Sequence, residues 1–129
     1  MTALAAYLRR TLLPQVNVGN VAWLMHRLTG VALAVYLLPH FLSIGSARGG
    51  PAAFDSELAV YTAPVFKVAE FLLIGVVAFH AFNGLRVIAV DFFALSHRQK
   101  LLFWLVMAAC VAVMAAASLL FVPRILAPA

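Results

Sequence analysis

Two stretches of this chain run far without a formal charge, from Arg27 to Arg48 and from Lys100 to Arg124. A third separates Glu70 from Arg86. A helix needs roughly 20 apolar residues to cross the hydrocarbon of a bilayer. None of the three stretches alternates polar and apolar residues with the period of a strand. A segment in hydrocarbon must satisfy its own backbone, so each is expected to be a helix. Composition agrees. Of 129 residues, 66% are hydrophobic and 10% charged, against about 45–50% and about 25% in soluble domains. A domain this small is mostly surface and cannot bury that surplus. The balance excludes a water-soluble enzyme, a disordered chain and a nucleic-acid binder. The net charge of +5 then reads as the positive flanks of membrane helices. Three crossings use nearly the whole length and leave no space for a catalytic domain outside the membrane.

The expected fold is an all-α membrane protein, one anchor domain with three transmembrane helices over about residues 21–45, 64–92 and 101–122. Residues 1–20 contain Pro14, Asn17, Gly19 and Asn20 and are expected to lie along the membrane surface. Gly49-Gly50-Pro51 should end helix one. Ser96 to Lys100 forms a short basic link between helices two and three. Ala115-Ala116-Ala117 permits close helix packing. Arg9, Arg10, Arg27, Arg98 and Lys100 gather on one side with Arg86 close by; Arg48, Lys67 and Arg124 gather on the other. This excess puts the N-terminus in the cytoplasm and the C-terminus outside. Arg9 and Arg10 follow a short apolar patch, the wrong order for a cleavable signal peptide. A single cysteine, Cys110, excludes a disulfide within the chain.

Polar residues at membrane depth are costly and therefore informative. His80 lies mid-way along helix two, roughly 18 Å from its cytoplasmic end, with Asn83 and Gly84 following on the same side. Two readings are open: an axial haem ligand, with Gly84 leaving space for the macrocycle, or a hydrogen bond between helices. His40, in helix one after Pro39, lies about 10 Å deeper by the same count. Helix one at the depth of His80 is expected to present Ala32 and Leu33, which cannot ligate. A second ligand for the same iron is therefore expected from another chain. His40 is left as a ligand for a second haem or as an interfacial histidine. His26 and Arg27 lie near the cytoplasmic edge, where they suit the carbonyl oxygens and protons of a quinone or, alternatively, lipid phosphates. Arg86 and Asp91 end helix two at that level. They could pair, hold a haem propionate or line the same site. Trp23, Tyr36 and Tyr61 read as interfacial or packing aromatics. No flavin, nucleotide or zinc motif is present.

Helix one contains His26-Arg27-Leu28-Thr29-Gly30; helix two contains His80, Gly84, Arg86 and Asp91. Over about Asn17 to Phe92 the chain resembles the cytochrome b subunit of succinate dehydrogenase. That family's pattern is His-Arg-x-[Ser/Thr]-Gly, then His-x-x-x-Gly-x-Arg-x-x-x-x-Asp. The resemblance implies a haem b whose axial ligand is His80, its other ligand supplied by a second small membrane-anchor subunit. The chain would then form half of a haem-binding helical bundle. The resemblance also implies an iron–sulfur subunit and a flavoprotein subunit on the cytoplasmic face of a bacterial or archaeal membrane. It implies a quinone site involving Arg27, with His26, Trp23 and Asp91 as further candidates. Trp23 stands where many members have serine, and Val87 where many have histidine. Asn83-Gly84 together with His40 resembles a branch in which some members carry two haems. The alternatives are a fumarate reductase anchor and a haem-free structural or transport subunit.

Overall fold

The computed structural model describes residues 17–126. Helix α1 (Val18–Gly45) is followed by a 3-10 turn at Ser46–Gly49 and a short helix α2 (Pro51–Val60). Helix α3 (Pro64–Phe92) leads through a second 3-10 turn at Leu95–Arg98 into α4 (Gln99–Leu126). The described residues contain no strand. Helices α1, α3 and α4 are the three long and apolar enough to cross a membrane. The protein is a multi-pass, all-helical membrane protein.

The ends of these helices follow from local chemistry. Asn17 caps α1, its side-chain oxygen accepting from the Asn20 N–H at 2.8 Å. Helix one therefore starts at Val18, three residues before the expected start. Of the surface segment expected over residues 1–20, residues 18–20 belong to α1 and residues 1–16 lie outside the described residues. Helix α4 is likewise longer than 101–122 and passes through Pro123. Helix α3 has the expected bounds.

The link between α1 and α3 is not simply a loop. Gly50 takes φ +91°, a conformation that favours glycine, and Pro51 occupies the first turn of α2. The Gly-Gly-Pro run thus ends one helix and starts another. Glu57 and Tyr61 hold the α2 end against α1: the Ser43 hydroxyl donates to Glu57 Oε1 at 2.9 Å, and the Tyr61 hydroxyl reaches the same oxygen at 3.1 Å.

Helix α3 packs most extensively along α4 and also against α1. The core consists of Ala78, Phe79, Val106 and Cys110, with Met25, Phe82, Met107 and Val113 against it. Most large apolar side chains, such as Leu24, Val35 and Leu119, point outward. Lipid tails are as apolar as leucine, so this costs nothing in a bilayer. The inside is correspondingly polar in one place. Asn83 is 1% exposed and Arg86 9%, and both face the packed interior at one end of the bundle.

Candidate functional site

Helices α1 and α3 run antiparallel and bring two matching motifs together. Each has a histidine followed four residues later by glycine, His26–Gly30 on α1 and His80–Gly84 on α3. The two imidazoles stack face to face, centroids 4.0 Å apart and planes 9° from parallel. Each histidine lies over the other helix's glycine. A Cβ at Gly30 would come within 3.1 Å of His80 Cε1, and one at Gly84 within 3.6 Å of His26 Cε1. Thr29 Oγ1 and His80 Nδ1 are joined by a hydrogen bond of 3.2 Å. A turn further along, Asn83 Nδ2 donates to the Ala22 carbonyl at 3.4 Å, and Ala22 is fully buried.

This contact corrects the expected register. Thr29 and Gly30, not Ala32 and Leu33, face His80. Gly30 lies as many residues from Val18 as His80 lies from Phe92, so the depth count holds once the true start of α1 is used. Placing the start at Val21 moved helix one by nearly a turn. Two stacked imidazoles direct their ring-nitrogen lone pairs side by side within parallel planes, so His26 and His80 cannot grip one iron from opposite sides.

Next to the stack an open pocket of about 340 Å³ is lined by Trp23, His26, Arg27, Asn83, Arg86 and Asp91. The four expected quinone-site residues and Arg86 thus come together. Gly19, Val87, Val90 and Gln99 complete the lining. Gln99 was not anticipated. It is brought in by the short α3–α4 turn, and nothing in its sequence context marked it. Arg27 places its guanidinium 4.0 Å over the Trp23 ring, a cation–π contact one turn apart on α1. Arg86 reaches the Gln99 carbonyl at 3.5 Å. Arg86 and Asp91 form no ion pair among the described residues; they line one pocket instead. Three buried polar atoms here have no partner among the described residues: His26 Nδ1, Asn83 Oδ1 and Arg86 Nε. An unpaired buried polar atom costs about 1–3 kcal/mol, so this end of the bundle is built to meet something polar. Its donors suit a carbonyl oxygen or an anion; Asp91 and His26 can accept or release protons.

His40 is elsewhere. It lies about 20 Å along α1 from His26, exposed, with its Nδ1 hydrogen-bonded to the Tyr36 hydroxyl at 3.0 Å. Tyr36 and His40 also stack, with centroids 5.1 Å apart. Tyr61 stands edge-on to Phe66.

Three membrane-crossing helices with a polar cluster at one end define a small helical membrane anchor. Residues 7–116 match the family described as succinate dehydrogenase/fumarate reductase transmembrane subunit, and the chain belongs to that family. It is similar to the succinate dehydrogenase 2 membrane subunit SdhC of Mycobacterium tuberculosis, 35% identical over 68% of this chain and 65% of the relative. It is also similar to the succinate dehydrogenase hydrophobic membrane anchor subunits of Halobacterium salinarum and Archaeoglobus fulgidus. These are 30% and 34% identical over 58% and 55% of this chain, and 58% and 61% of those subunits. The chain thus matches a little under two thirds of the length of each of these curated relatives.

Proposed function

We propose that this chain is a haem b-bearing, quinone-reactive anchor subunit of succinate dehydrogenase. It works beside a second small membrane-anchor subunit, an iron–sulfur subunit and a flavoprotein subunit, and helps pass electrons from the iron–sulfur subunit to the quinone pool. The observation that carries this reading is the His26–Gly30 and His80–Gly84 pairing beside a pocket containing Arg27, Arg86 and Asp91. The three relatives are all named for succinate dehydrogenase, which favours succinate oxidation over the fumarate reductase direction. The Lys and Arg excess puts the pocket end and the N-terminus in the cytoplasm of a bacterial or archaeal cell.

The donor set fits haem. His80 Nδ1 is engaged by Thr29, and Nε2 has no hydrogen-bond partner among the described residues. His80 would hold the iron and Arg86 would meet a propionate through its unpaired Nε. Bound there, the group supplies reversible one-electron transfer. The iron's other protein ligand would come from the partner anchor.

Reduction of a quinone to quinol takes up two electrons and two protons. Arg27 is permanently cationic and would donate to a carbonyl oxygen, stabilising charge that develops on it. Trp23 holds Arg27 through the ring contact. His26 and Asp91 line the same pocket and would relay protons to the bound quinone. His40 is left with two roles, ligand to a second haem near the outer end or an interfacial histidine paired with Tyr36.

The test is His80→Ala in the purified complex. The complex should lose the haem bound through His80, with a matching fall in its b-type absorption bands, while all subunits co-purify; an intact complex with full haem content overturns the assignment. Arg27→Ala should lower quinone reduction while succinate oxidation by a soluble dye persists. Unchanged haem stoichiometry in His40→Ala rejects the second haem.

A further inference from the structure

We propose that Thr29 is a positioning residue whose hydroxyl sets the tautomer of His80 and so determines which ring nitrogen His80 offers to a metal. The inference rests on the assignment of His80 as a haem ligand.

Thr29 Oγ1 lies 2.8 Å from the Met25 carbonyl oxygen and 3.0 Å from that of His26. His80 Nδ1 is the most distant of its three contacts, at 3.2 Å. A hydroxyl has one proton to donate and two lone pairs to accept with. Carbonyl oxygens only accept, and both shorter contacts are to carbonyls. The proton of Thr29 is therefore directed along α1's own backbone, a bond helical threonines commonly make. Its lone pairs face the imidazole. Nδ1 must then carry the ring proton and donate it to Oγ1. A neutral imidazole protonated at Nδ1 has its in-plane lone pair on Nε2. Nε2 is the nitrogen with no partner among the described residues.

The neighbours hold this arrangement. Gly30 has no Cβ, which allows the imidazole edge to approach α1; a Cβ would meet Cε1 at 3.1 Å. His26 covers one face of the ring without blocking its plane. The ring is thus held at its face by His26, at its edge by Gly30 and at Nδ1 by Thr29. An acceptor on the far nitrogen of a ligating histidine raises its basicity as a ligand. A more basic ligand stabilises the ferric state and lowers the midpoint potential.

The experiment compares Thr29→Val and Thr29→Ser in the purified complex, with His80→Ala alongside. Valine keeps the shape and removes the hydroxyl; serine keeps the hydroxyl. Redox titration of the b-type bands, ferric low-spin electron paramagnetic resonance and haem retention during washing are read together. Thr29→Val should raise the midpoint potential, move the resonance g-values and loosen haem by about 10–100-fold. Thr29→Ser should keep all three near wild type. Wild-type potential, g-values and retention in Thr29→Val overturn the inference while His80→Ala still loses haem. Full haem in His80→Ala overturns instead the ligand assignment beneath it. If Thr29→Val does not assemble, Thr29→Ala removes the same hydroxyl without a branched side chain and is read in the same way.

Discussion

The two glycines of the paired motifs look equivalent in sequence, but their surroundings predict opposite responses to alanine. At Gly30 the new Cβ would be 3.1 Å from His80 Cε1 and 3.7 Å from Nδ1. Ordinary contact needs a few tenths of an ångström more. The imidazole cannot easily give way, because His26 stacks on its face and Thr29 engages Nδ1. Overpacking of this kind costs about 1–3 kcal/mol. Exchanging glycine for alanine in a helix returns about 1 kcal/mol. Gly30→Ala should therefore be destabilising by a net ~0–2 kcal/mol and should displace the His80 ring. At Gly84 the nearest atom to a new Cβ is His26 Cε1 at 3.6 Å, an ordinary contact. Gly84→Ala should be neutral or stabilising by up to about 1 kcal/mol. Thermal loss of helical circular dichroism in the purified complex measures the stability of each variant. On the haem assignment proposed above, the line shape of the b-type bands would report the His80 environment. Equal damage from the two substitutions, or a better tolerated Gly30→Ala, refutes the argument from one-sided crowding.

Two further outcomes are expected. Asn83→Ala removes the α3–α1 bond to the Ala22 carbonyl; interhelical bonds in membranes are worth about 0.6–1.7 kcal/mol, so unfolding in denaturing detergent should begin earlier by that amount. Ala94 adopts a left-handed φ of 52° in the turn between α3 and α4, which costs an L-residue about 1–2 kcal/mol. Ala94→Gly relieves that strain but gives back about 0.4–1 kcal/mol of unfolded-chain entropy. Its midpoint of thermal unfolding should rise modestly, and that of Ala94→Val should fall.

Much of the fold was readable because lipid imposes a simple demand on each crossing. The bounds of α3 follow from Pro64 and the charges near its far end. The start of α1 was misplaced because Asn17 reads equally well as a surface residue and as a cap; only the bond to the Asn20 N–H distinguishes them. Helix α2 was missed because Pro51 was read as completing a stop, although proline also suits a first turn. For the site, chemistry was legible and proximity was not. His26, Arg27, Arg86 and Asp91 were singled out by the expense of polar groups near hydrocarbon and Trp23 by the family resemblance, and all five line one pocket. That His26 would stack on His80 depended on a helix register that three residues of error were enough to hide.

By itself the sequence determined that the chain belongs in a bilayer, crosses it with three helices and keeps a small set of polar side chains there. Those facts depend on local composition and length, which every stretch of chain carries with it. Only the tertiary structure decided that the two His-x-x-x-Gly motifs interlock, that Thr29 takes the inner nitrogen of His80, and that Gln99 closes the pocket beside Arg86. These depend on how antiparallel helices slide past one another. That offset is set by caps, turns and packed glycines acting together, and no single segment encodes it.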